Sequence, residues 1–377
     1  MSDEVDVVIV GAGLMGAACA YALAKRGRSV VVVEQFAPGH SLGSSHGSAR
    51  IVRRAYRDEL YTRLSGQAFE LWRELERSSG VSLLRMLGGL DFGTRRGVAE
   101  IAAHLASAGV PHEVLPGAEA AGRWPGMRFR GDVVYHPEAG TLDCAAAVDV
   151  FVAAARQKGA EVRYRSAARS VTGSEHGAVV TLSDHSVLRA GCAVVAAGAW
   201  VAPLVGTVVS LPALRVTQQQ IFHFPRLDRS APAWPSVIHE DVNAVYHLAG
   251  GRDGGTGDDR KVGVHDDGMP VSADGRSGSI DPASRTRVSD YVRDWLPGLD
   301  PTPRGEASCL YTITPTEDFI LDRVGPIVVC SPCSGHGAKF APLIGECVAD
   351  LVTTGTDVPA RFRLAAHTSG RSGTVSL

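Results

Sequence analysis

A short apolar run that leads directly into a glycine-rich turn constrains the fold of this chain more than any other feature. Residues 5–10 read VDVVIV, residues 11–16 read GAGLMG, and an alanine-rich stretch continues to Gly27. A second apolar run ends at Glu34, about 20 residues beyond the glycines, where a βαβ unit places an acid on a ribose hydroxyl. This order predicts a dinucleotide site whose cofactor contacts are Gly11, Gly13, Gly16 and Glu34.

The glycine turn has a physical reason to bind a pyrophosphate. Without side chains, its backbone amides approach the phosphates closely, and the following helix directs unpaired N–H groups and its positive dipole end at them. The alternative is a tight turn between strand and helix that binds nothing. The flanking strands and the acid at the expected distance favour the dinucleotide site.

Length, charge and cysteine content exclude several classes of protein. The 377 residues suffice for two to three folding units, and a formal net charge of −2 gives no bulk attraction for nucleic acid or anionic lipid. The seven cysteines are dispersed and odd in number, which is not a disulfide framework. The amino terminus carries acids where a signal peptide carries positive charges. We therefore expect a cytoplasmic protein with no nucleic acid and no membrane among its partners.

Residues 191–201, GCAVVAAGAWV, read as a buried strand and a glycine turn. They resemble the second cofactor contact of glutathione-reductase-like flavoproteins, with Gly198 as the contact. The uncharged stretch 191–214 is long enough to span a bilayer, but its Gly, Ala and Pro content favours a buried strand, a turn and a short helix.

Residues 87–143 and 212–308 differ from the rest of the chain in having longer predicted strands and more aromatic residues. We therefore predict an α/β protein of the α+β two-domain type, in which a glutathione-reductase-like Rossmann FAD-binding domain carries an inserted antiparallel-sheet substrate domain. The predicted limits are 1–86, 144–211 and 309–377 for the FAD-binding domain, and 87–143 and 212–308 for the substrate domain.

Two later stretches show the two-residue alternation of side chains that is expected of strands lining a pocket. In CLYTIT, Cys309 and Tyr311 share one face, and in KVGVH, Lys261 and His265 share a face with a glycine between them. Tyr246 lies on the strand before KVGVH and can face the same space. The alternatives are a buried structural cysteine and an exposed sheet face.

Lysine is rare in this chain, so the lysines that remain are informative. Lys25 and Lys158 each lie beside a glycine where a helix should end, a position that favours a cation. That position does not explain Lys261 or Lys339. An ammonium is a compact charge with an adjustable pKa, which points to a specific role.

Glycines bracket a histidine near the carboxyl end. In SGHGAKF, Gly335 and Gly337 flank His336 after a predicted strand, and Lys339 follows before an apolar helix. This predicts a second helix amino terminus beside the cofactor. The preceding CSPC invites a zinc or redox interpretation, but no second CxxC and no convincing histidine partner accompany it, so we predict no metal.

An arginine-rich run follows the second predicted strand. GSSHGSARIVRRAYR contains His46 and four arginines. Such a run is usually a solvated face, but its glycines favour a loop folded closely over something.

Together these segments resemble the monomeric sarcosine oxidase and N-methyltryptophan oxidase family of FAD-dependent amine oxidases. The matching motifs are GAGLMGAACA with Glu34, GSSHGSARIVR, KVGVH, CLYTITPTEDFILD and SGHGAKF, in family order across nearly the whole chain. Five dispersed motifs are far more specific than one glycine loop.

The resemblance implies a role for each matching residue. FAD would be attached through its 8α-methyl group to Cys309, Arg53 and Lys339 would grip the substrate carboxylate, and Lys261 would activate oxygen. Arg50 and His46 would lie near the flavin ring. The residues implied to line the substrate cavity are Tyr246, His265, Tyr311 and His336, and the catalytic set is Lys261, His265, Arg50 and Tyr311. Further implied cofactor contacts are Ser45, His46, Gly198, Gly335, Gly337 and Lys339.

The resemblance further implies oxidation of a secondary amino acid, N-methylated or cyclic, or a related amine carboxylate. Hydride transfer to FAD gives an imine, and reoxidation by O2 gives hydrogen peroxide. The implied partners are the small-molecule amine and O2, with the protein as a monomer. The alternatives are a flavin-dependent dehydrogenase or biosynthetic hydroxylase acting on a bulkier or carrier-bound substrate, and a non-catalytic flavin-binding subunit.

The sequence departs from the family pattern around the substrate. HLAGGRDGGTGDD, after Tyr246, lacks the expected aromatic and proline-containing stretch, and Ala338 replaces a bulky aromatic residue. Ser48 and Ala49 replace a more polar pair. These differences indicate a roomier or differently shaped cavity, which leaves the identity of the amine open.

Overall fold

Two large sheets and one small sheet form the protein in a computed structural model that describes residues 4–255, 259–355 and 358–368. The described helices are Leu14–Lys25, Glu59–Ser79, Val98–Ser107, Gly117–Arg123, Cys144–Gln157, Val201–Val205, Pro282–Trp295, Ala341–Thr353 and Leu364–Thr368. Short 3₁₀ turns lie at Gly198–Trp200, Gly251–Gly254, Gly337–Phe340 and Ala360–Phe362.

The first sheet has eight strands and is built on the predicted dinucleotide motif. Five of them run parallel in the order Glu161–Arg163, Val30–Val33, Glu4–Val10, Val187–Val195 and Ile327–Ser331. Antiparallel strands complete the sheet at Ala168–Ser174, Gly177–Leu182 and Ile320–Val324.

Successive side chains of the first sheet point alternately into two hydrophobic cores, one on each face of the sheet. Val7 and Ile9 pack with Leu23 and Ile344 of the helices, while Val8 packs on the opposite face with the antiparallel strands and Val201–Val205. Burial on both faces explains why these strands are continuous apolar runs.

The second sheet has nine strands and is antiparallel except for one pair. Its strands in order are Glu113–Leu115, Val133–His136, Gly89–Phe92, Ser236–Glu240, Ala244–Ala249, Arg260–Val264, Arg215–Phe224 and Met269–Pro270, with Gly305–Ile313 also paired to Arg215–Phe224. The parallel pair joins Gly89–Phe92 to Ser236–Glu240. One face packs on helix Pro282–Trp295, and the other is directed toward the first sheet.

The small sheet connects the two large ones. Ala139–Leu142 lies between Arg50–Arg53 and Leu84–Met86, antiparallel to both. The arginine-rich run of the sequence therefore continues from a loop into a central strand pair, which positions Arg53 in the interior.

The domain limits remain a prediction, and the sheet pairing suggests one adjustment. Gly305–Ile313 pairs along its length with Arg215–Phe224 of the second sheet, although the predicted limit lies at residue 309, inside this strand. We therefore propose that the second domain extends to residue 313.

The long uncharged stretch 191–214 folds as a buried strand, a turn at Gly198–Trp200 and a five-residue helix. Across the described ranges, helices of membrane-spanning length and apolarity are absent.

Candidate active site

A cavity of about 1040 Å³ lies between the carboxyl ends of the first sheet and the inner face of the second sheet. Its size reaches the upper end of ordinary small-molecule pockets, about 300–1,000 Å³. The carboxyl edge of a parallel sheet is also where such folds bind nucleotides. The cavity therefore has the place and the volume for a dinucleotide together with a small substrate.

The glycine turn forms one end of this cavity. A Cβ on Gly11 would lie 2.7 Å from the carbonyl oxygen of Ala196, and one on Gly13 would lie 3.0 Å from the hydroxyl oxygen of Ser45. The Ser45 hydroxyl accepts a 2.9 Å hydrogen bond from the amide of Leu14, which fixes the loop on the start of the helix. Gly16 is not on the cavity wall but packs beneath the turn, so its role there is close packing.

Glu34 lies at the end of the second strand and is buried in the cavity wall. One carboxylate oxygen accepts the amide of Ala12 at 2.8 Å, and the other accepts the amide of Phe36 at 3.0 Å. A carboxylate has about four acceptor positions, so two remain for ribose hydroxyls.

The groups that the cavity walls present at this end suit the pyrophosphate and ribose of FAD. Gly198 has a left-handed φ of 52°, and the position of a Cβ there has no atom within 4 Å, so the backbone faces open space. The walls at this end present backbone amides, a helix amino terminus and one acid, which are the groups that bind pyrophosphate and ribose.

Cys309 lies on the strand of the second sheet that borders the cavity. Both Cys309 and Tyr311 line the cavity, and Tyr246 on a nearby strand joins them. Tyr246 pairs with Gly263, where a Cβ would lie 2.6 Å from the tyrosine hydroxyl oxygen. The glycine of KVGVH is therefore needed to seat this ring.

Lys261 is a buried ammonium on the same wall. Its Nζ donates a 3.0 Å hydrogen bond to the carbonyl oxygen of Ala49, on the loop that precedes the small sheet. Burial, and then the positive charge of Arg50, lower the pKa of Lys261 to about 7. The group is thus poised to change its charge near neutral pH.

Arg50 folds the loop 44–49 around its guanidinium. It donates to the carbonyl oxygens of Ser44, His46 and Ala49 at 3.1, 2.6 and 2.9 Å. Burial together with Arg50 lowers the pKa of His46 to about 4, so this imidazole is neutral at physiological pH. The arginine-rich run is therefore a loop folded over the cavity, whereas Arg54 and Arg57 point away and pair with Glu138 and Glu100.

Two cations contact the ring of Tyr56, a residue to which the sequence alone assigned no role. The guanidinium carbon of Arg53 lies 4.2 Å from the ring centroid of Tyr56, and the Nζ of Lys339 lies 5.5 Å from the same centroid. All three side chains are buried. Burial, and then Arg53, lower the pKa of Lys339 well below its usual value. A bound carboxylate would relieve this repulsion, since it would add a negative charge beside both cations.

Arg53 belongs to a buried ion-pair cluster with Asp91 and Arg96. Arg53 lies 3.7 Å from Asp91, and Arg96 holds the same Asp91 oxygen with two hydrogen bonds of 2.6 and 2.8 Å. The Nη2 atom of Arg53 has no hydrogen-bond partner among the described residues. The arrangement fixes the guanidinium and leaves a donor for a ligand.

Two histidines complete the substrate end of the cavity. His265 lies 5.7 Å from Tyr311 between ring centroids. Gly335 packs against both rings, since a Cβ there would lie 2.5 Å from the Tyr311 ring and 2.7 Å from the His265 ring. His336 places its Nδ1 3.5 Å from the hydroxyl of Tyr56. Burial lowers the pKa of His336 well below its usual value, so it is neutral.

Two of the three sequence departures from the family pattern, the loop after Tyr246 and Ser48, meet in space. Asp253 of the glycine-rich loop accepts the amide of Ser48 at 2.5 Å, and its own amide donates to the Ser48 hydroxyl at 3.0 Å. His223, a cavity residue that sequence reasoning missed, lies directly opposite Lys261 on the adjacent strand. Burial, and then Lys261, lower its pKa to about 4.

The predicted site residues thus converge on one cavity, with Gly16 beneath it. The residues missed were Tyr56, Asp91 and His223, and only Tyr56 gave a signal, since it ends the arginine-rich motif. Within CSPC, Cys333 lines the cavity, while the sulfur of Cys330 lies 4.0 Å from that of Cys19. All seven cysteines are free thiols.

Comparison with known proteins gives consistent matches over the whole chain. A family model described as FAD dependent oxidoreductase matches residues 6–351. The peroxisomal sarcosine oxidase of Homo sapiens is 32% identical over 389 residues, covering 97% of both chains. The monomeric sarcosine oxidase of Bacillus sp. strain NS-129 is 29% identical over 371 residues, covering 94% of both. A solved structure of NikD, described as an unusual amino acid oxidase essential for nikkomycin biosynthesis, superposes with a TM-score of 0.84 at 26% identity, covering 96% of both chains.

Proposed function

The chain belongs to the family of FAD-dependent oxidoreductases, and on that premise we propose that it is an amine oxidase of secondary amino acids, N-methylated or cyclic. The observation that carries this proposal is the pair of buried cations, Arg53 and Lys339, which both line a dinucleotide-sized cavity and both contact the ring of Tyr56. Two desolvated cations in such a place favour an anionic ligand, and a substrate carboxylate would supply the charge.

Residues along the cavity would hold FAD by its parts. The pyrophosphate would lie on the amides that follow Gly11 and Gly13, and a ribose on Glu34. The isoalloxazine ring would lie along the inner face of the second sheet, where the Cys309 sulfur attaches it covalently. Cys309 is half-buried on the same cavity wall as Tyr246 and Tyr311, and this position supports the attachment.

Bound FAD would accept a hydride equivalent from the carbon that carries the amine, leaving an imine, and would then pass two electrons to O2 to give hydrogen peroxide. The chain itself would orient the substrate through Arg53 and Lys339 and enclose it with Tyr246, Tyr311 and His336. Lys261, as an ammonium, would stabilise the negative charge that develops on oxygen. The protein would act as a monomer, as its relative from Bacillus is named.

Anaerobic spectroscopy tests the proposal directly. The holoenzyme is mixed without oxygen with a panel of N-methylated, cyclic and primary amino acids, and flavin absorbance is followed. Rapid bleaching by secondary amino acids, and stoichiometric hydrogen peroxide on readmission of air, are expected. Bleaching without peroxide would instead identify a dehydrogenase. A flavin that no amino acid bleaches would exclude amine oxidation.

A further inference from the structure

Two reciprocal hydrogen bonds join the glycine-rich loop 250–255 to the loop that precedes the small sheet. The Asp253 carboxylate accepts the amide of Ser48 at 2.5 Å, and the Asp253 amide donates to the Ser48 hydroxyl at 3.0 Å. A Cβ on Gly251 would lie 2.6 Å from the same hydroxyl oxygen, so the absence of a side chain there permits the close approach. These contacts fix the Asp253 carboxylate in the cavity wall.

The same glycine-rich loop packs beside the strand pair that carries Lys261. A Cβ on Gly250 would lie 2.9 Å from Cδ2 of His223, and one on Gly254 would lie 3.6 Å from it. His223 is directly opposite Lys261 in the antiparallel pairing, and both residues line the cavity. Directly opposite residues hold their Cβ atoms about 4.5–5.5 Å apart. The loop therefore covers the immediate surroundings of Lys261.

A short series of hydrogen bonds relates Asp253 to Lys261. The Nζ atom of Lys261 donates to the carbonyl oxygen of Ala49 at 3.0 Å, and Asp253 accepts the amide of Ser48, the residue before Ala49. The ammonium and the carboxylate thus bind neighbouring residues of one loop. The backbone between those two residues restricts how far apart the two charges can lie.

Lys261 is surrounded by groups of both charge signs. Burial, and then Arg50, lower the pKa of Lys261 to about 7, and the Asp253 carboxylate acts in the opposite direction. The other titratable groups that face this ammonium from the packed elements are thiols and imidazoles: Cys144, Cys309, His46 and His223.

These thiols and imidazoles supply little charge of their own. Burial raises the pKa of Cys144, so its thiol is neutral, and the Cys309 sulfur would be bonded to the flavin under the proposed function. Burial, and then neighbouring cations, lower the pKa of both His46 and His223 to about 4, so both rings are neutral at physiological pH. The carboxylate of Asp253 is therefore the negative charge that favours the ammonium in the holoenzyme.

We propose that Asp253 is a positioning residue that keeps Lys261 in its ammonium form while O2 is reduced. The inference rests on the proposed function, in which Lys261 stabilises the negative charge that develops on oxygen. An ammonium provides that stabilisation and a neutral amine does not. Two departures from the family pattern would then act together, since the glycine-rich loop brings the carboxylate and Ser48 binds it.

The rarity of lysine makes a direct test possible. The chain has four lysines, so ¹³Cε-labelled lysine gives four signals in the holoenzyme, and Lys261→Met identifies the one that belongs to Lys261. Asp253→Asn is the test variant, because asparagine keeps an oxygen that accepts the Ser48 amide but carries no charge. Asp184→Asn is the matched control, since Asp184 is an exposed carboxylate that also accepts a serine amide, that of Ser186 at 2.9 Å.

The first readout is the titration of the Lys261 signal. Its midpoint should lie near 7 in wild type and in Asp184→Asn, and about one pH unit lower in Asp253→Asn, because the ammonium has lost its nearby negative charge. The Lys339 signal, assigned from Lys339→Met, should be the same in all three proteins, since burial and Arg53 determine its charge.

The second readout is flavin reoxidation by O2 in stopped flow. The decrease in rate with rising pH should move to lower pH in Asp253→Asn by the same amount as the Lys261 midpoint, while anaerobic reduction by amine stays unchanged. If Asp253→Asn does not accumulate as folded protein, Asp253→Ser removes the same charge and is judged by the same outcomes.

An unchanged Lys261 midpoint in the folded variant would overturn the proposal. So would a Lys261 that keeps one charge state in both proteins throughout the pH range in which they stay folded. If Lys261→Met is reoxidised at the wild-type rate, the proposed role of Lys261 toward oxygen fails, but the lysine spectra still decide whether Asp253 controls its charge.

Discussion

The ring of Tyr246 lies over Gly263, its partner on the adjacent strand, so closely that a Cβ on Gly263 would be 2.6 Å from the tyrosine hydroxyl oxygen. Gly263 stands between Lys261 and His265, on the strand that lines the cavity. The absence of a side chain at this one position lets three functional groups share one wall.

Gly263→Ala should therefore displace the Tyr246 ring into the cavity. The expected cost is about 1–3 kcal/mol of unfolding free energy, because the rigid ring cannot retreat without repacking. Gly122→Ala is the control, since a Cβ there meets nothing within 4 Å, and it should be neutral or stabilising. Denaturant unfolding monitors both. Equal stability of the two variants would show that Tyr246 moves freely.

Cys309→Ser should abolish covalent attachment of the flavin. After acid denaturation and electrophoresis, wild-type protein should retain flavin fluorescence in the protein band, and the variant should not. Cys333→Ser serves as the control, because Cys333 also lines the cavity but lies on a different segment. Flavin that washes out of denatured wild type would remove the assignment of Cys309.

Arg53→Ala should weaken binding of substrate and of simple carboxylate inhibitors by a hundredfold or more. Loss of one partner of a buried charge pair costs on the order of 3 kcal/mol. Arg57→Ala, which removes an exposed cation paired with Glu100, should leave affinity unchanged. Titration of the flavin spectrum with a carboxylate inhibitor measures both variants, and equal affinities would contradict the role of Arg53.

Lys261→Met should slow flavin reoxidation by O2 by about a hundredfold or more, the effect of losing one preorganised donor. Anaerobic reduction should change much less. In wild type the reoxidation rate should fall as pH rises through about 7, because the ammonium then loses its proton. Stopped-flow measurement of the two half-reactions separates these effects. A mutant that is reduced slowly and reoxidised normally would place Lys261 in the substrate site.

The same substitution should stabilise the protein, most strongly at low pH. The pKa of Lys261 is lowered by burial from 10.5 to about 7, so the unfolded chain binds more protons between these values, and folded stability rises with pH across that window. The burial cost is complete below pH 7 and amounts to about 5 kcal/mol at most. Thermal unfolding of Lys261→Met should thus show a larger gain in Tm at pH 6 than at pH 9.5. Lys25→Met, on the surface, should show no such gain.

Local sequence was sufficient for the features that depend on neighbouring residues. The glycine turn, the acid after the second strand and the two-residue alternation of KVGVH and CLYTIT are set by backbone geometry over a few positions. That is why the strand, turn and helix at the amino end could be predicted from the sequence, and why Cys309, Tyr311, Lys261 and His265 could be placed on one wall, which they line in the structure. Their roles toward a cofactor and a substrate stay predictions. The resemblance to a known family then supplied roles that alternation alone leaves open.

Only the tertiary structure decided which distant groups meet. The ring of Tyr56 contacts both Arg53, three positions before it in sequence, and Lys339, 283 positions after it, because the small sheet and the turn after the last parallel strand converge there. The approach of Asp91 to Arg53 and the position of His223 opposite Lys261 likewise depend on the pairing and register of strands far apart in sequence. Long-range register is fixed by the packing of whole sheets, and the residues on either side carry no local signal of it.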